Sequence, residues 1–171
     1  PTELEEFEEV RGEDALTVLR TVASAYQYVL VDCGGRIDEA TLMATTVADR
    51  VLLVTTPTVA AVKNCWRRLQ LLNRLGVESD QVRLVVNQWD KSAELSLHDI
   101  EVNLGVPVAA TIAADPSACD RAVNLGRLLR DVDRKSPALR DLTAAVQLVT
   151  TDAERVEPEA EKGSFWGLFR S

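Results

Sequence analysis

The chain has 171 residues, of which 46% are hydrophobic and 27% are charged, as is typical of one folded domain. Its 27 Asp and Glu outnumber its 19 Lys and Arg, and the net charge of -8 argues against nucleic acid as the main partner, because phosphate binding requires clustered cations. One His and three widely separated Cys exclude a His-rich metal site and a disulfide framework, and they suit a reducing cytoplasm.

Segments with helical spacing of apolar residues alternate with short apolar runs that are typical of buried parallel strands. The predicted helices are 13–25, 38–48, 58–75, 96–104, 116–125 and 137–148, and the predicted strands are 28–32, 50–55, 82–87 and 107–112. Because a helix lies between successive strands, the sequence predicts an α/β fold, with a parallel sheet and helices on both of its faces. In this interpretation 13–149 form the domain, 1–12 are an acidic lead-in, and 150–171 are an acidic linker with a short aromatic tail.

Ligands of such sheets bind beyond the carboxyl ends of the strands, so the residues after each predicted strand are candidates for a site. The carboxylate of Asp32 could order Mg²⁺ beside a phosphate that the backbone of Gly34 and Gly35 approaches, or it could simply cap a turn. The amide of Asn87 suits a purine edge, or satisfies its own turn. Asp115 precedes a proline and is a good helix N-cap, and its loop could also line a base pocket.

Four other side chains have simpler interpretations. Trp66 is predicted to lie in the core, because it falls on the apolar stripe of the third predicted helix. That stripe also contains Val59, Val62, Leu69 and Leu72. Trp89 either packs on a ligand or covers the edge of the sheet, and His98 is predicted on a helix surface. Cys33 is not predicted to be a nucleophile, because no base lies near it in the sequence.

Taken in order, these segments resemble the ParA/MinD superfamily, the ATPases with a deviant Walker A loop. The resemblance extends over residues 13–135 and is carried by 28–32, 48–57, 85–87, 112–115 and 122–126. Within the superfamily the chain is most similar to the pilus-assembly branch of the CpaE/TadZ type. That similarity is carried by 61–64, 87–91 and 97–101.

The resemblance implies a three-layer P-loop NTPase fold that binds ATP and Mg²⁺ and forms an ATP-dependent homodimer. It implies that Asp32 is the Walker B acid, near the attacking water and in indirect contact with Mg²⁺. Gly34 and Gly35 fall in the switch region that senses the γ-phosphate. It also implies that Asn87 reads adenine. The loop that lines the adenine consists of Ala113, Ala114 and Asp115.

Two departures from the family pattern concern the phosphate and the base. No GxxxxGK sequence occurs in the 171 residues, whereas the family has its phosphate-binding loop upstream of the matching region. We therefore expect the chain to be a C-terminal portion, incomplete on its N-terminal side, that is inactive alone and binds ATP poorly. The second departure is Ala113, at a position where the family usually has Pro.

The C-terminal tail ends in four large apolar side chains that share one face if the segment is helical. These are Phe165, Trp166, Leu168 and Phe169. The resemblance implies contact with a membrane or a partner, so the protein would be cytoplasmic and at times peripheral at the inner face of the cell membrane. Since only Lys162 and Arg170 add positive charge near these residues, we expect the attraction to anionic lipid to be weak.

Three functions remain open from the sequence. The first is part of a dimerising ATPase in pilus assembly or polar localisation, with pilus, secretion or localisation proteins as partners. The second is an inactive scaffold or interaction module of the same fold. The third is a receiver-type phosphoacceptor domain, which Asp32, Thr55 and Lys91 imitate, although no acidic pair on an earlier strand accompanies them.

Overall fold

The computed structural model describes residues 11–35 and 38–150. Its helices are α1 (Gly12–Ala25), α2 (Glu39–Val47), α3 (Val59–Arg74), α4 (Leu97–Leu104), α5 (Pro116–Asn124), α6 (Leu129–Val132) and α7 (Pro137–Ala145), the last followed by a 3-10 turn (Val146–Leu148). Its strands are β1 (Val51–Thr55), β2 (Val82–Trp89) and β3 (Val108–Ala113). Residues 1–10 of the predicted lead-in (1–12) and residues 151–171 of the predicted linker and tail lie outside the described residues, so the proposed domain limits stay predictions.

The three strands form one parallel sheet in the order β1-β2-β3. Val51 lies opposite Val82, and Leu84 lies opposite Val108. Helices connect the strands, as a parallel sheet requires. The predicted α/β class and parallel sheet are therefore confirmed.

Helices cover the sheet on both faces. On one face α3 and α4 bury Leu53, Leu84 and Val86, and on the other face α7 packs over Val85 and Ile112. The central strand β2 is therefore apolar on both sides, which explains its almost continuous run of Val and Leu. Polar residues occur instead at the carboxyl ends of the strands, as with Asn87 in β2 and Asp115 just after β3.

Short polar side chains begin most of the helices at the edge of the sheet. Ser96 forms a capping box with Asp99 at the start of α4, and Gly105 ends that helix in the left-handed conformation with φ 70°. Asp115 accepts a hydrogen bond from the Ala118 N–H at the start of α5. The predicted cap at Asp115 is thus confirmed.

The predicted strand over 28–32 is wrong. These residues form no regular element, and Leu30 is 85% exposed. The segment has the composition of a strand, but a strand needs a neighbour for its backbone N–H and C=O groups. Among the described residues β1 pairs only with β2, and no strand lies beside 28–32 to accept those bonds.

The buried stripe of α3 differs from the prediction in two positions. Val62, Leu69 and Leu72 are buried as expected, but Trp66 is 48% exposed and Val59 is also exposed. Cys65 takes the buried position instead of Trp66, since its small side chain fits where α3 packs on the sheet. The prediction also missed α6 and ended β2 two residues early.

None of the helices in 11–35 and 38–150 is long and apolar enough to cross a membrane.

Candidate functional site

The carboxyl ends of the three parallel strands lie at one edge of the sheet, and the loops that follow them form the candidate site. Asn87 lies near the carboxyl end of β2, two residues before the strand ends at Trp89, and 113–115 comprises the last residue of β3 and the start of the loop after it. These are the two segments that the resemblance assigns to adenine. Their mutual geometry therefore tests whether they can act together.

Asn87 sits at a local distortion of β2. Its Oδ1 atom accepts a 2.9 Å hydrogen bond from the N–H of Gln88, which has a φ of 55°. Gln88 is the one non-glycine residue with positive φ in the described part of the chain, a conformation that costs about 1 kcal/mol or more. The side-chain NH₂ of Asn87 donates to no atom of the described residues, so it is available to a ligand. The interpretation of Asn87 as a residue that satisfies its own turn is thus correct for Oδ1, and the side-chain NH₂ group remains for recognition of a base.

The distortion at Gln88 brings the two base-related segments side by side. The register between β2 and β3 shifts between Val86 and Trp89, and Trp89 then pairs with Ala113. The N–H of Ala114 donates a 3.0 Å hydrogen bond to the carbonyl oxygen of Trp89. Asn87 is therefore two residues from a backbone contact with the 113–115 loop. Trp89 itself is half-buried against the core beneath α3 and α4, which supports its interpretation as a cover for the sheet.

The 113–115 loop is tied to α7 by residues that the sequence did not identify as part of a site. Ser136 Oγ donates a 2.6 Å hydrogen bond to Asp115 Oδ2, and Asp141 Oδ2 accepts a 3.0 Å hydrogen bond from the Ala113 N–H. Ser136 is the N-cap of α7, just before the first residue of the helix predicted over 137–148. Nothing local in the sequence indicates that Ser136 would also reach a residue 21 positions away.

Asp90, in the loop after β2, is occupied as a turn residue. It accepts hydrogen bonds from the backbone N–H of Ser92, at 2.7 Å, and from the Ser92 hydroxyl. These bonds hold the pKa of the Asp90 carboxyl below its usual value. The carboxylate therefore closes its own loop rather than pointing to a second segment.

Asp32 caps a turn, as one of its two interpretations predicted. Its Oδ1 atom accepts a 2.9 Å hydrogen bond from the N–H of Gly34, which adopts a φ of 58°. Asp32 is exposed, and no hydrogen bond of the described residues joins it to Asn87 or to the 113–115 loop. The structure thus places Asn87 two residues before Trp89, which contacts the 113–115 loop, while no hydrogen bond of the described residues joins the Asp32–Gly35 turn to either segment.

One residue that sequence reasoning missed contacts the predicted switch. Arg68 of α3 donates a 2.7 Å hydrogen bond to the carbonyl oxygen of Gly35. Arg68 lies on a polar flank of its helix and has no local feature that separates it from Arg67. Only the tertiary fold could have identified it.

The thiols of Cys33 and Cys65, near these segments, both have a raised pKa. Burial, followed by the charges of Asp32 and Asp38, raises the pKa of the Cys33 thiol, and a hydrogen bond with Thr41 opposes this shift. Burial raises the pKa of Cys65 to about 11, against the opposing effect of Arg68 and Thr55. A raised pKa makes a thiol a poor nucleophile, in agreement with the interpretation of Cys33.

The described residues contain no group of three or more His, Cys, Asp or Glu that could hold a metal ion. Direct binding of Mg²⁺ by protein ligands alone therefore has no support among the described residues. An indirect role of Asp32 needs only one carboxylate and water, and it stays a prediction.

Two relatives in sequence are similar along most of the chain. An uncharacterized ATP-binding protein of Methanocaldococcus jannaschii is 29% identical over 167 residues, which are 97% of this chain and 62% of that protein. The chloroplastic MinD homologue of Arabidopsis thaliana, a septum site-determining protein, is 31% identical over 153 residues, which are 83% of this chain and 45% of that protein. The chain thus spans less than two thirds of the length of either relative. No protein-family model matches it.

Solved structures resemble the chain more fully in fold than in sequence. A ParA family ATPase of Chlorobium tepidum gives a TM-score of 0.77 at 22% identity, over 86% of this chain and 62% of that one. MinD in a MinC:MinD complex of Aquifex aeolicus gives 0.68 at 23% identity, over 85% and 63%. MinD of Pyrococcus horikoshii complexed with Mg-ADP gives 0.63 at 16% identity, over 76% and 53%. At such identities these structures establish the fold.

The chain is accordingly an α/β protein with a parallel sheet of the P-loop NTPase type. The sequence relatives and the shared fold together support its placement in the ParA/MinD-type ATPase superfamily.

Proposed function

We propose that this chain supplies the adenine-binding part and the switch part of a ParA/MinD-type ATPase. The observation that carries the proposal is the contact between the two base-related segments, in which the Ala114 N–H donates to the Trp89 carbonyl next to Asn87. A side-chain amide that offers a donor, on the strand next to this loop, has the chemistry that recognises a purine edge. The name of the Methanocaldococcus relative, an ATP-binding protein, favours adenine as the base.

This chain contains fewer candidate residues for binding the phosphates than for binding the base. No GxxxxGK sequence is present, so the 171 residues alone bind ATP weakly in this proposal. Asp32 is proposed to act as the Walker B acid through water on Mg²⁺, using the carboxylate oxygen that Gly34 does not occupy. Gly34 and Gly35 are proposed to sense the γ-phosphate. Bound Mg²⁺ would neutralise charge on the phosphate oxygens during hydrolysis.

The partners and location follow from the resemblance and stay proposals. We propose an ATP-dependent homodimer that acts in pilus assembly or polar localisation. We also propose that it binds a protein partner, since a structural neighbour is the MinC:MinD cell division protein complex. The tail residues Phe165, Trp166, Leu168 and Phe169 are proposed to touch a membrane or a partner weakly. The protein is proposed to be cytoplasmic or peripheral at the inner face of the cell membrane.

The experiment measures Mg-ATP binding and hydrolysis by the protein in its natural full length. Asn87→Ala should raise the Kd for ATP by about tenfold or more, which corresponds to about 1.4 kcal/mol. Asp32→Ala should retain binding and lose turnover. Asn103→Ala is the matched control, because the amide of Asn103 donates only to the backbone oxygen of Asp99 within α4. Absence of ATP binding by a well-folded protein would contradict the proposal.

A second candidate function is a scaffold of the same fold without ATPase activity. A phosphate-binding loop upstream of the matching region would favour the ATPase, and a degraded loop there would favour the scaffold. The same titration separates the two functions, because a scaffold would keep its fold and bind no nucleotide. A receiver-type phosphoacceptor receives less support, since Asp32 does not end a strand. Labelling of Asp32 by acetyl phosphate would support the receiver-type function.

A further inference from the structure

The N-terminal half of α7 holds the 113–115 loop at two points. At the first point Ser136, which is only 2% exposed, donates from Oγ to Asp115 Oδ2 at 2.6 Å. The same hydroxyl oxygen accepts the Leu139 N–H at 3.4 Å and so caps α7. Asp115 in turn accepts the Ala118 N–H through Oδ1 at 3.2 Å. One buried hydroxyl therefore links the starts of α5 and α7 through the loop.

At the second point Asp141 holds the end of β3. Its Oδ2 atom accepts the Ala113 N–H at 3.0 Å, and its Oδ1 atom is paired with Arg140 at 2.9 Å. Strand β3 is an edge strand of the described sheet, so this carboxylate satisfies a backbone donor at the place where a further strand would otherwise do so. The two points are independent, because they use different side chains of α7 and different residues of the loop.

The network also decides which groups of the loop remain for a ligand. Both carboxylate oxygens of Asp115 are engaged inside the protein, one by Ala118 and the other by Ser136. Ala113 and Ala114 have no polar side-chain atoms. The N–H groups of Ala113 and Ala114 are also engaged, by Asp141 and by the Trp89 carbonyl oxygen. The loop can therefore recognise a base only through its other backbone groups, and backbone recognition depends on how accurately the backbone is placed.

We propose that Ser136 and Asp141 are positioning residues that place the 113–115 backbone for recognition of the nucleotide base. This inference rests on the proposed function, because it assumes that the loop lines the base. Neither residue touches the nucleotide. Loss of either one leaves the phosphate contacts intact and weakens only the part of binding that depends on the base.

The experiment compares the Kd of Mg-ATP with that of inorganic triphosphate, by calorimetry on the full-length protein well below its unfolding temperature. Ser136→Ala and Asp141→Ala should each raise the Kd of ATP by about fivefold to tenfold, as expected for loss of one hydrogen bond worth about 1 kcal/mol. The Kd of triphosphate should change by less than about twofold. Asp141→Asn should restore much of the affinity for ATP, because its side-chain oxygen can still accept the Ala113 N–H.

Two control variants match these changes chemically. Thr143→Ala removes a hydroxyl of α7 that bonds only to Leu139 within the helix, and Asp120→Asn alters an exposed carboxylate on α5. Both should leave the Kd of ATP unchanged. If Ser136→Ala does not fold, the Asp141 variants decide the question alone.

The outcomes separate this inference from the proposed function. Wild-type binding of ATP with unchanged Kd in Ser136→Ala and Asp141→Ala would overturn the positioning role and leave the proposed function standing. Equal losses for ATP and triphosphate would also overturn it, because they would indicate a general loss of structure. No binding of ATP by the wild type would overturn both.

Discussion

Arg68 and Gly35 are joined by a 2.7 Å hydrogen bond from the guanidinium to the backbone carbonyl, across 33 positions of the sequence. This bond connects the middle of α3 with the turn that Asp32 begins. Since α3 packs on the sheet through its buried face, the hydrogen bond from Arg68 links the turn to the core of the domain. A movement of the turn on binding a phosphate would therefore break this hydrogen bond or shift α3.

Arg68→Ala should uncouple the turn from α3. If Gly34 and Gly35 sense the γ-phosphate, ATP hydrolysis should fall by about tenfold while the Kd of ATP changes little, because no hydrogen bond of the described residues joins the turn to the base-related segments. Steady-state hydrolysis and calorimetry on the full-length protein measure the two effects. Arg67→Ala is the matched control, since Arg67 is exposed and makes no hydrogen bond within the described residues. Equal rates in the two variants would refute the coupling.

The two glycines of the turn should differ in their tolerance of a side chain. Gly34 has a φ of 58°, and a Cβ added there meets no atom within 4 Å, so Gly34→Ala should cost about 1 kcal/mol of unfolding free energy through backbone strain alone. Gly35 has the same open space without a positive φ, and Gly35→Ala should be neutral or slightly stabilising. Urea unfolding of both variants tests the pair. A loss confined to Gly35→Ala would show that the turn differs from the one described.

Much of the fold follows from short-range patterns, and the exception shows where such patterns fail. Strands β1, β2 and β3 are predicted by short apolar runs that alternate with helical segments, and in the structure helices pack on Leu53, Leu84 and Ile112 of these runs. The segment 28–32 has a similar run, but apolar composition does not create a neighbouring strand, and the run stays exposed. Whether a strand forms depends on a partner that the local sequence does not contain.

Paired leucine truncations test that correction. Leu84 is almost fully buried in β2, and Leu84→Ala should lower the unfolding free energy by about 2–5 kcal/mol. Leu30 is exposed, and Leu30→Ala should change it by less than about 0.5 kcal/mol. Denaturant unfolding of the two variants gives the comparison. A cost of several kcal/mol at Leu30 would mean that 28–32 is buried after all.

The candidate site divides in a similar way. Asn87 and Asp115 could be predicted because they stand at or just after the carboxyl ends of apolar runs, and that position is a property of the sequence. Ser136, Asp141 and Arg68 could not, because each acts on a loop far away in the chain. A hydrogen bond of that kind depends on the relative placement of whole elements, which no local periodicity encodes.

The raised pKa of Cys65 should make stability depend on alkaline pH. Because the pKa is about 11 in the folded protein and 9.0 for an unperturbed thiol, the folded state keeps its proton longer than the unfolded state. The contribution of the neutral thiol is therefore complete below about pH 9 and is lost as the pH rises through about 11, by roughly 2–3 kcal/mol at most. Urea unfolding at pH 8, 9, 10 and 11 should show a fall in unfolding free energy that is smaller in Cys65→Ala, where no thiol titrates. Other groups titrate in both proteins, so only the difference between them reports on Cys65. Parallel pH profiles for the two proteins would show that burial does not hold this thiol in its neutral form.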